Sequence, residues 1–147
     1  MENSRLIRPM RENDLEDVMR IERQAFPNPW PPESFGFFHD ERSWVICEGD
    51  SLRGFIMIHS VLDEATIMNF AIDPLFWRQG LATQLLEHTI EMLTAKGVKN
   101  IFLEVRLSNL AAKKLYQKHD FKPLGLRKDY YQDPREDALV LVRNDNG

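Results

Sequence analysis

Ala65-Thr66-Ile67-Met68-Asn69-Phe70-Ala71-Ile72-Asp73-Pro74 and, shortly after it, Arg78-Gln79-Gly80-Leu81-Ala82-Thr83 decide how this chain folds. The first stretch reads as an apolar strand closed by Asp-Pro. Beyond the second, Leu81, Leu85, Leu86, Ile90 and Leu93 recur at helical spacing, so the turn opens an amphipathic helix. Unpaired N–H groups at a helix start, with the positive end of its dipole, form an anion site that needs no basic side chain. Gly80 lets backbone approach a ligand closely, and the small Ala82 keeps the first turn uncrowded. The same glycine could equally serve turn geometry alone. Neither G-x-G-x-x-G nor G-x-x-x-x-G-K-[ST] is present, which removes the main support for dinucleotide and P-loop nucleotide readings.

Outward from this junction the elements follow from periodicity and punctuation. Leu6-Ile7-Arg8-Pro9 is a first strand, and Glu12-Asn13-Asp14 gives acidic capping to a helix with Leu15, Val18, Met19 and Ile21 on one stripe. Four prolines within Ala25–Pro32 exclude regular structure and predict a stiff aromatic loop around Trp30. A short helix over Glu33–His39 precedes a hairpin of strands at Ser43–Glu48 and Arg53–Val61. After the strand Ala65–Ile72 and the helix Gln79–Lys96, Gly97 stops the helix before a strand at Asn100–Arg106. Ser108 caps a helix over Asn109–His119, and strands at Phe121–Lys128 and Ala138–Val142 flank a polar loop, Asp129–Asp137. A helix joining two strands of one sheet is a right-handed parallel crossover, so the expectation is a mixed α/β fold with that unit inside an otherwise antiparallel sheet.

The 147 residues, 43% of them hydrophobic, suffice for one domain spanning 1–147. A net charge of −4 and no basic run interleaved with aromatics argue against nucleic acid as partner; an acidic surface suits a basic peptide. The single Cys47, in apolar Trp44-Val45-Ile46-Cys47, reads as a buried thiol and excludes a disulfide scaffold. No apolar run approaches the roughly 20 residues of a membrane span, and the start carries no signal-like apolar region, so the expectation is a cytoplasmic protein without a membrane partner. The four histidines are scattered, with no metal-ligand spacing, so no metal is expected.

Two residues stand out chemically. Glu104 interrupts the apolar strand Ile101-Phe102-Leu103-Glu104-Val105 and shares a face with Phe102 and Arg106. It is either a carboxylate held by Arg106 at the sheet end or a general base. Tyr116 lies on the helical stripe of Ala112 and Leu115, seven residues after Asn109, and is either core with a satisfied hydroxyl or a proton donor in a cleft.

Arg78-Gln79-Gly80-Leu81-Ala82 resembles the Q/R-x-x-G-x-G/A signature of the GNAT family of N-acetyltransferases, with Trp77 standing where that signature prefers Gln or Arg. Asn109-Leu110-Ala111-Ala112-Lys113-Lys114-Leu115-Tyr116 matches the family's N-x-x-A-x-x-x-Y helix, with Asp120 at its usual terminal Gly. The resemblance implies acetyl-coenzyme A as co-substrate. Its pyrophosphate would sit on Arg78, Gln79, Gly80, Leu81, Ala82 and Thr83. Its pantetheine arm would run along the backbone of Phe70, Ala71 and Ile72, where a parallel strand pair splays apart at the sheet centre. Asn109 would be a further cofactor contact, and Tyr116 would protonate the departing thiolate.

Ile21-Glu22-Arg23-Gln24-Ala25-Phe26-Pro27 with Pro29-Trp30, Leu103-Glu104-Val105-Arg106, and Asp129-Tyr130-Tyr131 with Arg135-Glu136-Asp137-Ala138 resemble one branch of that family, bacterial enzymes that acetylate the N-terminal alanine of a small-subunit ribosomal protein. On that likeness Glu104 is the base, directly or through water, and Trp30, Tyr130 and Tyr131 flank the N-terminal peptide of the ribosomal protein. Transfer would be direct, in a ternary complex, with Cys47 poorly suited to carry an acyl group. Acetylation of other protein N-termini or small amines, and a coenzyme A-binding module without turnover, stay open as alternatives.

Overall fold

In the computed structural model, which describes residues 4–37 and 43–145, the chain runs β1 (Arg5–Pro9), α1 (Leu15–Ala25), β2 (Trp44–Glu48), β3 (Ser51–Val61), β4 (Glu64–Ile72), α2 (Leu81–Ala95), β5 (Asn100–Arg106), α3 (Leu110–Lys118), β6 (Lys122–Tyr131) and β7 (Glu136–Asn144). Short 3-10 turns occupy Glu12–Asp14, Pro32–Phe37 and Pro74–Phe76. The helix expected over Glu33–His39 is the second of these turns, and His39 lies outside the described residues.

The seven strands are ordered β1-β2-β3-β4-β5-β7-β6. The fold is α/β, its sheet mostly antiparallel, with β4 and β5 as the parallel pair. Their register covers Glu64–Thr66 against Asn100–Phe102, although the strands run on to Ile72 and Arg106. By its internal contacts the chain divides into two compact units, one holding residues up to His59 with Met68–Met92, the other Ser60–Ile67 with Leu93 onward.

In the first unit the α1 stripe places Val18 and Ile21 in a core with Phe35, Val45, Phe55 and Met57, and Trp30 packs at its edge. Full burial of such side chains contributes about 1.5–3 kcal/mol each. Cys47 belongs to the same core as a free thiol, pushed up in pKa by burial, as its apolar segment predicts. Asp14 does not cap α1. Its carboxylate takes two hydrogen bonds from the Arg8 guanidinium, both at 2.8 Å, and one from the Arg11 N–H. Burial opposes ionisation there, but these donors hold the Asp14 carboxyl below its ordinary range.

In the second unit β5 alternates, burying Ile101, Leu103 and Val105 and leaving Glu104 half-buried. Strand β6 is an edge, and every residue of it except the half-buried Tyr131 is exposed. The loop expected over Asp129–Asp137 is shorter than its composition suggests: β6 continues to Tyr131 and β7 begins at Glu136, paired with it. Cross-strand partners outweigh local polarity there. Likewise Asn109, not Ser108, caps α3, its side-chain oxygen accepting the Ala112 N–H at 3.1 Å.

Helices α2 and α3 end alike. In α2 the Val98 N–H reaches the Leu93 carbonyl and the Gly97 N–H reaches Thr94, with Gly97 at φ +92°. In α3 the Phe121 N–H reaches Tyr116 and the Asp120 N–H reaches Gln117, with Asp120 at φ +68°. Both are Schellman ends, and in α3 the accompanying apolar contact is the edge-on ring pair Tyr116–Phe121 at 5.5 Å.

Candidate active site

The turn between β4 and α2 lies in the first unit and is held by side chains from strands and helix around it. Asp73, buried, accepts the Leu75 N–H at 3.1 Å and Arg20 Nη1 at 3.2 Å. Arg53 stacks 3.6 Å over the Phe76 ring and pairs with Glu48. Trp77 donates its indole N–H to the Ile72 carbonyl at 2.7 Å while 55% of the residue stays exposed. Arg5 donates to the Gln79 carbonyl at 2.8 Å, to Gln84 Oε1 at 2.7 Å and to Glu48 Oε2 at 3.2 Å.

Arg78 and Gly80 both have positive φ, +67° and +82°. A Cβ on Gly80 would come no closer than 3.8 Å to Arg5 Nη1, so the requirement for glycine is conformational rather than steric. Helix α2 starts at Leu81, two residues later than its periodicity suggests, because Gly80 cannot be helical at that φ. Leu81 is buried and anchors the start; Ala82 and Thr83 are half-buried, and Arg78, Gln79 and Gly80 are exposed. Arg5 and Trp77 engage the Gln79 and Ile72 carbonyls, groups that would repel an anion, and the first N–H groups of α2 are the donors a phosphate needs. These residues fit a pyrophosphate. Upstream, Ala71 and Ile72 are buried and Phe70 is half-buried on β4.

The second unit holds Glu104, Tyr116, Tyr130 and Tyr131. Arg127 Nη1 donates to Glu104 Oε1 at 2.8 Å, while Glu104 Oε2 is buried and has no hydrogen-bond partner among the described residues. The sequence offered Arg106 as the partner of Glu104. Arg106 instead bonds Glu136 Oε1 at 3.3 Å and the Pro134 and Gln132 carbonyls, and lies 4.3 Å from the Tyr131 ring centroid. Arg127 in turn lies 4.5 Å over the Tyr130 ring, and Tyr130 meets Tyr131 edge-on at 5.1 Å. Arg127 is exposed, so solvent screening leaves the Arg127–Glu104 pair little weight in stability. Its effect is orientation, with Oε1 tied down and Oε2 left as the acceptor.

Burial pushes the Tyr131 phenol up to about 12, and the neighbouring Glu104 charge adds to it. The Tyr130 phenol is raised by burial, by the Glu104 charge and by a side-chain hydrogen bond with Glu104. Tyr116 is buried, and desolvation with a smaller contribution from Tyr131 raises it further, so all three remain protonated at neutral pH. Asn109 is exposed with Oδ1 committed to the α3 cap, which leaves its amide N–H₂ for a ligand. Trp30 is half-buried in the first unit, its ring 5.5 Å from Phe35.

Arg127 and Arg5 escaped the sequence reading. Each acts on a residue remote in the chain, Glu104 at 23 positions and Gln79 at 74, and neither lies in a local pattern.

Residues 15–121 match the model of the acetyltransferase (GNAT) family. Over 140 residues the chain is 38% identical to the ribosomal protein bS18-alanine N-acetyltransferase of Escherichia coli, covering 92% of this chain and 95% of that one. The crystal structure of the Escherichia coli enzyme of that name superposes with a TM-score of 0.91 at 36% identity, over 96% of this chain and 94% of the other. Ard1 from Thermoplasma volcanium superposes with a TM-score of 0.92 at 26% identity, over 97% and 99%. Together with the glycine turn at the start of α2, these matches mean that the chain belongs to the GNAT family of acetyltransferases.

Proposed function

We propose that this enzyme transfers the acetyl group of acetyl-coenzyme A to the N-terminal alanine amine of the small-subunit ribosomal protein bS18, in the cytoplasm and in a ternary complex. The acceptor rests on the likeness to the Escherichia coli enzyme, which extends over nearly the whole chain. The chemistry rests on one observation: Glu104 has one oxygen held by Arg127 and the other buried without a donor among the described residues. An orphaned carboxylate oxygen calls for an N–H or O–H from a ligand.

The co-substrate supplies an acyl group activated as a thioester. The first N–H groups of α2, with Arg78 and Gln79, hold its phosphates, and the backbone of Phe70, Ala71 and Ile72 hydrogen-bonds its arm. The neutral amine attacks the acyl carbon; the C–N bond forms, the C–S bond breaks, and the amine proton passes to Glu104 Oε2, directly or through water. Tyr116, kept protonated by burial, donates to the departing sulfur. Tyr130, Tyr131 and Trp30 flank the peptide. An α-amine has a pKa of about 7.7–8.0 against about 10.4 for lysine, so a modest base suffices.

The test is purified protein with acetyl-coenzyme A and a panel of peptides: the bS18 N-terminus, the same peptide beginning with Ser or Met, and one with a blocked N-terminus and an internal lysine. Preference for the Ala-first peptide is expected; equal use of all would reduce the reading to a broad amine acetyltransferase, and binding without turnover would make the protein a coenzyme A-binding module. Glu104→Gln should lose most activity at low pH and recover partly as pH rises through the amine pKa. A mutant pH–rate profile parallel to wild type would make Glu104 structural.

A further inference from the structure

Glu22 has no part in the chemistry above, yet it is 2% exposed on α1, between Val18, Ile21 and the loop that follows. Its two oxygens have separate donors. Oε2 accepts the Trp30 N–H at 2.9 Å, and Oε1 accepts Asn69 Nδ2 at 2.7 Å. Asn69, itself buried on β4, accepts the Phe70 N–H on Oδ1 at 3.0 Å. Neither donor to Glu22 is a cation, and burial raises its pKa.

The direction of every bond in this chain is forced. The Phe70 N–H can only donate, which fixes Asn69 Oδ1 toward it and Nδ2 toward Glu22. The Trp30 N–H can also only donate, so both Glu22 oxygens must accept. A neutral carboxylic acid would set its own O–H against one of these donors. The two donors thus favour the carboxylate while burial opposes it, an arrangement with neutral donors alone that a methionine or leucine would avoid. What it yields is a rigid link from Phe70, on the strand assigned to the pantetheine arm, to Trp30, in the proline-stiffened loop assigned to the peptide.

We propose that Glu22 and Asn69 are positioning residues that latch the Trp30 loop to β4 and thereby set the affinity for the acceptor peptide. The inference rests on the reading of Trp30 as a peptide contact. Prolines restrict φ within the loop but do not fix where the loop lies. The Glu22 bond holds the loop at Trp30 itself, and the Phe35 ring supports the indole.

The same logic gives a decisive variant pair. Glu22→Gln keeps size but has a single acceptor oxygen, so either the Trp30 N–H or Asn69 Nδ2 faces an amide donor. Adding Asn69→Asp restores every bond: a carboxylate at position 69 would accept from the Phe70 N–H and from the new amide at position 22, whose oxygen would accept from the Trp30 N–H. Steady-state kinetics with the Ala-first peptide and amide hydrogen exchange at Trp30 are the readouts, with Trp30→Ala as reference. Glu22→Gln should raise the peptide KM about tenfold and speed Trp30 exchange by at least as much, with kcat and acetyl-coenzyme A binding unchanged. The double variant should return both toward wild type. Unchanged peptide KM and exchange in Glu22→Gln, or a double variant no better than the single one, overturns the latch. If Trp30→Ala raises the peptide KM while Glu22→Gln does not, the latch fails and the peptide reading stands; if Trp30→Ala leaves the KM unchanged, the peptide reading fails and takes the latch with it.

Discussion

Helices α2 and α3 are stopped by the same device and differ in what each offers a ligand. Helix α2 contributes backbone at its first turn, where Gly80 and the buried Leu81 set the geometry. Helix α3 contributes a side chain in its last turn, where Tyr116 is pinned by the Schellman end and the Phe121 ring. A backbone site tolerates changes in the side chains around it but not a change in φ. A side-chain site has the reverse tolerance.

The largest test of this contrast is Tyr116→Phe, which keeps the ring and its Phe121 contact and removes the hydroxyl. General-acid help is worth roughly 10²–10⁴-fold in turnover. Burial raises Tyr116 well above the thiol reference of about 8.5, so the hydroxyl steadies the developing thiolate rather than releasing its proton early, and a loss near 10²-fold in kcat is expected. Isothermal titration should show acetyl-coenzyme A affinity unchanged; a loss confined to affinity would make Tyr116 a packing residue.

Gly80→Val comes next. A side chain other than glycine at φ +82° costs about 1–2 kcal/mol, so the turn should distort and acetyl-coenzyme A affinity fall by roughly tenfold, with the acid and base untouched. Unaltered affinity in the folded variant would remove the turn from the cofactor site. The smallest effect belongs to the helix ends. Asp120→Gly should stabilise the protein and Gly97→Asp destabilise it, each by about 0.5–1 kcal/mol, because glycine relieves left-handed strain but loses more entropy on folding. Thermal unfolding should show shifts of opposite sign; shifts of the same sign would mean that the two ends are not equivalent.

The helix ends also show what the sequence makes legible. Gly97 announces its turn by residue type, and the glycine turn at 80 is read from one short window. Asp120 in the left-handed region follows only from the resemblance, and the Asn109 cap competes with an equally plausible Ser108. What escaped was long-range. Strand parity offered Arg106 to Glu104, but Arg127 takes it from β6, with β7 lying between, and parity along one strand cannot rank its own neighbours against a residue two strands away. The polar stretch after Lys128 reads as loop because an exposed edge strand has no buried face to give it alternation.

That exposed edge has a consequence for descent. Arg127 and Tyr130 sit on a strand whose side chains lie almost entirely at the surface, and surface substitutions usually change stability by no more than about 0.5 kcal/mol. The glycine turn and the core under α1 have no such freedom. A lineage can therefore vary residues along β6 at little cost to the fold, Arg127 excepted, because its bond reaches across to Glu104 on β5.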